Sequence, residues 1–279
     1  MNSTEKYTKA SDMQRRDASE VIEEFSDEIG KMQGKCIDIG CGPGNVTKEL
    51  ILPKLGCNAT IVGADISEEM LNFARKNYGN EERMSFIHMD IESKDFSKEQ
   101  TVYYDNALSF YCLHWCQNMR RTVENIYKLL RPGGRGLVMF LSYNNGFDAY
   151  MKLQRNPRYQ PYMQDVGKYI PPYHSCPNPR ATMKKTLEEV GFEVLHCSNR
   201  EKTFVFESLE ILQNHILAVN PFFNRIPDDL KDEYKEEVTK EITKNKILFE
   251  SNNGESSSYS VLDRYGLLIA YFRKPNNAH

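Results

Sequence analysis

The chain has 279 residues, 40% of them hydrophobic, and a formal net charge of -3 with both signs spread along its length. That size suits one large α/β domain with insertions, able to bury a core without disulfide support. No basic block marks a nucleic-acid footprint, and Arg15-Arg16 and Arg120-Arg121 read as solvated helix faces.

Residues 18–29 put Val21, Ile22, Phe25 and Ile29 on one face, which predicts an amphipathic helix. Residues 35–39 form a short apolar run ending in glycines, the pattern of a buried strand. A helix over 46–55 frays at Pro53. Strand 60–65 follows, then helix 68–78, with Ser67 as its cap and glutamates in its first turn. The alternation continues through strands 84–89 and 103–111, helix 118–130, a turn at 132–134 and strand 135–141. Residues 143–177, rich in Tyr, Pro and Asn, read as a loop-rich insertion. Helix 181–190 ends at Gly191, and strand 192–198 follows it. Helices are expected at 207–218 and 228–248, a polar linker at 252–258 and a last strand at 259–272.

Strands alternating with helices imply parallel βαβ units. The expected fold is a doubly wound, Rossmann-like α/β domain with a seven-stranded, mostly parallel sheet. The whole chain, 1–279, reads as a single domain. It comprises an N-terminal helical segment (1–30), a cofactor-binding core (31–142), substrate-cap insertions (143–177 and 205–258) and a last strand (259–273).

Seven cysteines (Cys36, Cys41, Cys57, Cys112, Cys116, Cys176, Cys197) make neither a CxxC pair nor a disulfide ladder. They read as small buried residues in a reducing compartment. Cys112, His114 and Cys116 would alternate faces on a strand end, so no metal site is expected. The first thirty residues carry no apolar run, and no stretch approaches the ~20 apolar residues that span a bilayer. The expectation is a cytoplasmic chain without a signal peptide or membrane insertion.

Chemistry concentrates after the first strand. In Asp38-Ile39-Gly40-Cys41-Gly42-Pro43-Gly44-Asn45 the glycines permit a sharp turn and close approach of a ligand. The G-x-G-x-G spacing is not the G-x-G-x-x-G of dinucleotide loops. Asn45 stands where a third glycine would pack helix on strand for a pyrophosphate. Asp38 would repel a pyrophosphate but suits a methionine ammonium, held directly or through water. Asp65 ends the second strand, where a carboxylate accepts both ribose hydroxyls. Asp90 ends the third and fits an adenine amino group, with Ile91 against the ring. The residues alone leave open that these acids are loop caps. Taken together they describe a site for S-adenosylmethionine, leaving S-adenosylhomocysteine as product.

The strings DIGCGPGNVTKEL, GADISEEML, SFYCLHW, LLRPGGRG and LEEVGFEV, with Asp90 between the second and third, resemble in order the motifs of class I methyltransferases. YTKASDMQRRDA, SFYCLHW and NPFFNRIPDD are similar, more narrowly, to segments of the insect juvenile hormone acid O-methyltransferase family. The cofactor set expected on this resemblance is Asp38, Gly40, Cys41, Gly42, Asp65, Ile66, Asp90, Ile91 and Ser109. The resemblance implies a carboxyl O-methyltransferase acting on farnesoic acid or juvenile hormone acid.

The chemistry is compatible with that. Methyl transfer from a sulfonium is an in-line displacement, for which the protein supplies orientation and a dry pocket. A carboxylic acid with a pKa near ~4.3 is ionised at neutral pH and needs no base. An arginine clamp would stabilise the starting anion more than the transition state, so neutral donors are preferable. The resemblance points to Gln14 and Trp115, the only tryptophan, as the catalytic pair holding the carboxylate. Solvated-helix and core-anchor roles are the alternatives. His114 joins the substrate set as a strand-end or water-positioning group rather than a base. The cap insertions contribute aromatic residues, of which Tyr150, Phe222 and Phe223 are expected against the acceptor; the alternative is that they form the cap's own core. Burying a farnesyl-type chain at ~25 cal/mol per Å² yields several kcal/mol. Two other readings stay open: a methyltransferase for another small acid or amine, and a catalytically silent ligand-binding protein. The expected partner is the lipophilic acid, and a homodimer is left open.

Overall fold

The computed structural model describes residues 11–96, 103–251 and 258–276. The first ten residues of the N-terminal segment, and 252–257 of the expected polar linker, lie outside them. In chain order the elements are α1 (Asp12–Glu24), α2 (Ser26–Gly30), β1 (Lys35–Ile39), β2 (Thr60–Asp65), α3 (Glu68–Tyr78), β3 (Met84–His88) and β4 (Tyr104–Phe110). They continue with α4 (Met119–Leu129), β5 (Leu130–Asn144), α5 (Asn145–Leu153), α6 (Pro179–Val190), β6 (Glu193–Phe206), α7 (Leu209–Val219), α8 (Asp228–Thr243), β7 (Ile247–Ser251) and β8 (Ser258–Arg273).

The sheet runs β3-β2-β1-β4-β5-β8-β6, with β7 paired to β8 off this path. β1 pairs in parallel with both β2 and β4, as do β2 with β3 and β4 with β5, whereas β8 is antiparallel to β5, β6 and β7. The expected doubly wound α/β fold is present. The winding reverses between β1 and β4, and ligands of open α/β sheets bind in the crevice at such a point.

The strands' two-residue period sorts their side chains onto opposite faces. Ile37, Val62, Ala107, Val138 and Phe140 join a core under α4 and α6. Their neighbours Cys36, Ile61, Leu108, Leu137 and Met139 join a second core with Val21, Ile22, Phe25 and Ile29 of α1 and α2. A third core is separate, built by α5, α7 and α8 around Tyr159, Phe222, Tyr234 and Tyr265. This is the cap.

Several boundaries differ from expectation, each for a local reason. The N-terminal helix begins at Asp12 and breaks at Phe25, where α2 begins. The helix after the glycine loop closes on a π-turn, Thr47–Ile51, in which Leu52 N–H donates to Thr47 O at 2.9 Å; Pro53 has no N–H to continue it. The turn at 132–134 is a wide bulge inside β5, since Tyr104 pairs Leu130 and Asn106 pairs Arg135, with Gly133 at φ +80°. The insertion 143–177 contains α5, whose N-terminus is capped by Asn144 accepting from Gly146 N–H at 2.8 Å. β6 runs on to Phe206. The last expected helix stops at Thr243, and Ile247-Leu248-Phe249 pairs with β8 instead, because a partnered strand edge outweighs weak helical propensity. Residues 113–115 form a 3₁₀ turn rather than a strand end.

Candidate active site

Two cavities meet at the carboxyl ends of β1, β2 and β4. The outer one, of about 370 Å³, is lined by Asp38, Gly40, Cys41, Gly42, Asp65, Ile66, Asp90 and Ile91, among others. The inner one, of about 90 Å³, lies under the cap and is lined by Leu141, Phe147, Tyr150, Leu212, Ile216 and Ile242, among others. Gln14, Tyr111, Trp115 and Val219 border both.

The glycine loop divides its labour. Gly40 and Cys41 N–H both donate to Ala64 O, at 2.7 and 3.1 Å, which ties β1's end to β2. Gly40 has φ +75°, and a Cβ there would stand 2.1 Å from Cys112 Sγ, so this glycine serves protein packing. Gly42 has φ +54°, and its Cβ would meet nothing within 4 Å. This glycine keeps clear a part of the cavity wall. The Asp65 carboxylate accepts from Gly42 N–H at 2.9 Å and Ser67 N–H at 2.8 Å, which fixes it at the loop's edge. Burial raises its pKa despite those bonds.

Asp38 is wholly buried and accepts from the Thr47 hydroxyl at 2.5 Å. Burial pushes its pKa up to about 7; the Thr47 bond opposes the shift and Asp65 adds to it. Asp90 is exposed at the rim and accepts from Glu92 N–H at 2.8 Å. Ile66, 63% exposed, lies on the same outer wall. An exposed isoleucine bordering a cavity suits the flat face of an aromatic ligand. Ser109 does not line either cavity. Its buried hydroxyl donates to Ile39 O at 2.8 Å and clamps β4 to β1, so its contribution to the site is indirect.

Gln14 on the shared wall and His114 on the inner wall are buried, and the Gln14 Oε1 and His114 Nδ1 have no hydrogen-bond partner among the described residues. Burial lowers the His114 pKa to about 3, so its imidazole is neutral at physiological pH. His114 packs on Trp115 at 4.7 Å between ring centres, and Trp115 meets Phe147 edge-on at 6.1 Å. Tyr150 lines the inner cavity, but Phe222 and Phe223 line neither. Phe222 is fully buried against Tyr150 and Tyr169, and Phe223 stacks on Tyr234. Those two aromatics build the cap's core rather than its lining.

Sequence reasoning missed the groups that hold α1 in place. Asp17, fully buried, accepts from the hydroxyls of Tyr111 and Tyr265, each at 2.6 Å, and from Arg16 at 2.9 Å. Gln14 lies one helical turn before Asp17 on α1, so this cluster sets the depth at which Gln14 enters the wall. Tyr111 has φ +56°, a left-handed conformation that is costly for a tyrosine. The available signal was an acid three residues beyond Gln14 in an otherwise amphipathic helix. Leu212, Ile216 and Val219 of α7 were also missed as lining residues, because their spacing reads equally as packing.

The sheet order and the cleft at its reversal are those of the class I methyltransferase fold. A family model described as "Methyltransferase domain" matches residues 37–138. A putative methyltransferase from Bacillus halodurans superposes with a TM-score of 0.55 at 18% identity, covering 90% of this chain and 98% of that one. Juvenile hormone acid O-methyltransferase from Drosophila melanogaster is 34% identical over 98% of this chain and 93% of its own length. The protein of the same name from Bombyx mori is 33% identical over 98% of each chain. The chain belongs to the juvenile hormone acid O-methyltransferase family.

Among the described residues no helix is long and apolar enough to cross a membrane.

Proposed function

We propose that the chain transfers the methyl group of S-adenosylmethionine to the carboxylate of a lipophilic isoprenoid acid, farnesoic acid or juvenile hormone acid, in juvenile hormone biosynthesis. One observation carries this reading: an outer cavity edged by acids opens onto an apolar inner cavity through a wall of Gln14, Tyr111 and Trp115. The outer cavity's residues fit the methyl donor. The open space at Gly42 admits close backbone approach, Asp38 and Asp65 bring to this cavity carboxylates suited to a cationic ammonium and ribose hydroxyls, and Ile66 offers an apolar face. When bound, the donor supplies an electrophilic methyl group and the leaving thioether.

The chain's own residues then have to orient and desolvate the acceptor. Gln14 and Trp115 carry neutral N–H donors at the shared wall, suited to hold a carboxylate without neutralising it. The amide of Gln14 can present either end to the cavity, and its Oε1 has no hydrogen-bond partner among the described residues. His114 is neutral and too weakly basic to abstract a proton at pH 7, which is compatible with an acceptor already ionised. The one lysine or arginine on the inner wall among the described residues, Lys246, is paired with Asp263. Among the described residues the inner wall therefore offers no free cation that would favour a dicarboxylate.

The inner cavity is smaller than the ~300 Å³ at the low end of ligand pockets. A farnesyl-sized tail would enter by displacing α7, which carries Leu212, Ile216 and Val219, and the cap would close over it and exclude water. The test is transfer of labelled methyl from S-adenosylmethionine to farnesoic acid. Extractable labelled ester is the expected result; its absence, with the donor shown bound by calorimetry, rejects the reading.

A further inference from the structure

The outer cavity has four carboxylates on its wall, those of Asp38, Asp65, Asp90 and Glu92. S-adenosylmethionine brings an ammonium and a sulfonium that suit such a wall, but it also brings a carboxylate of its own. Desolvating that group among acids is costly unless a cation or several N–H donors meet it. The glycine loop does not supply them. Gly40 and Cys41 N–H donate to Ala64 O, Gly42 N–H to Asp65, and Gly44 N–H to Cys41 O at 3.1 Å. Pro43 has no N–H. Every backbone donor from 40 to 44 is thus engaged within the protein.

Among the described residues, Arg15 and Lys168 are the lysine and arginine on this wall. Gln117 Nε2 donates to Lys168 O at 2.9 Å and Gln117 N–H donates to Glu92 at 3.0 Å, which ties the Lys168 backbone to the rim after β3. Arg15 is elsewhere. It pairs at 2.6 Å with Glu49, in the π-turn that follows the glycine loop. The donor bears its ammonium and its carboxylate on one carbon. With the ammonium toward Asp38, the carboxylate therefore falls at the glycine-loop end, which is Arg15's end. The ion pair already there is no obstacle. Its side chains are 41% and 42% exposed, Glu49 does not line the cavity, and exposed pairs are weak enough to exchange.

We infer that Arg15 exchanges Glu49 for the amino-acid carboxylate of the methyl donor, so that Glu49 competes for the same guanidinium in the free protein. A guanidinium presents paired N–H donors that match a carboxylate. Gln14 is the preceding residue of the same helix, so the donor would fasten the element that carries the acceptor's proposed partner. In sequence, Arg15-Arg16 reads only as a solvated helix face. The inference rests on the S-adenosylmethionine reading and names a donor contact within it.

The experiment is calorimetry on the full-length protein with S-adenosylmethionine and with its decarboxylated form, which keeps the adenosine and both cationic centres. The unaltered protein should bind the carboxylated donor about tenfold or more tightly than the decarboxylated one. Arg15→Met should weaken the carboxylated donor by about tenfold to a hundredfold and the decarboxylated one by less than about threefold, with the melting temperature nearly unchanged. Arg15→Lys should recover part of the loss, since an ammonium keeps the charge but not the paired donors. Glu49→Gln removes the competitor and should tighten the carboxylated donor alone, by about twofold to fivefold; a purely structural ion pair would give no such gain. Equal or tighter binding of the decarboxylated donor by the unaltered protein overturns the clamp while leaving the donor site standing. An Arg15→Met variant that loses both donors in equal measure, or neither, overturns it as well. If the unaltered protein binds neither form, the S-adenosylmethionine reading beneath the clamp falls with it.

Discussion

The two cavities are made in opposite ways. The outer one is written by short contiguous strings at strand ends: a glycine loop after β1, an acid after β2, another after β3. Its shape is set by backbone, and its polar groups are tied to backbone N–H groups or a neighbouring hydroxyl. The inner one is assembled from α1, the tip of β5, α5, α7, α8 and β8, segments far apart in the chain, and its shape is set by side chains. Backbone-built sites follow from a general fold; side-chain-built sites carry the individuality of the protein.

The hardest blow to that contrast falls on the loop. Gly42→Val adds bulk in open cavity space at a φ that valine resists. We expect S-adenosylmethionine affinity to fall by more than about a hundredfold by calorimetry, with the apo fold retained at a cost of about 1–2 kcal/mol. Gly40→Ala should do the reverse: its Cβ meets Cys112, so thermal stability suffers first. Normal donor affinity in the Gly42 variant would remove the loop from the binding site.

The same contrast explains what the sequence disclosed. β1 to β5 were legible because period-2 apolar runs bounded by turn residues have few other readings. The glycine loop and its acids were legible because their spacing from strand ends is a geometric requirement. The cap was not. Phe222 and Phe223 look like lining residues in sequence, but burying them against Tyr150, Tyr169 and Tyr234 stabilises the cap core instead. Ser109 faces a strand neighbour rather than the cleft, a distinction a one-residue difference in register would reverse. Lys246 and Asp263 lie 17 residues apart on either side of a linker, and only the β7–β8 pairing reveals that they meet.

The shared wall offers a second, smaller test. Gln14 and Trp115 border both cavities, so the contrast predicts that they act on turnover rather than on donor binding. Gln14→Ala or Trp115→Ala should lower kcat by about tenfold to a hundredfold, the usual effect of loosening a near-attack geometry. Donor affinity should stay within about threefold, since neither change touches the glycine loop. Loss of donor affinity in both variants would assign the wall to the outer cavity and leave the inner one without catalytic residues.

The smallest expected effect separates the cavities by pH. Asp38 has its pKa raised to about 7 by burial, and a cation bound beside it would pull that value down. The complex then holds fewer protons than the free protein. Donor affinity should therefore rise with pH up to about 7 and level off above it. Near pH 6 it should sit about tenfold below the plateau. Without ligand the sign for folding is opposite: a carboxyl raised from its unfolded value of 3.8 gives its full stability below that pH and loses it as pH rises through about 7. Asp38→Asn, which still accepts from Thr47, should flatten the affinity profile and raise the apo melting temperature at pH 8. His114, already neutral throughout this range, should leave turnover with saturating donor and an ionised acid nearly independent of pH. An affinity profile that stays flat in the unaltered protein between about pH 5.5 and 8.5 would mean that Asp38 faces no cation, and the outer cavity would need a different ligand.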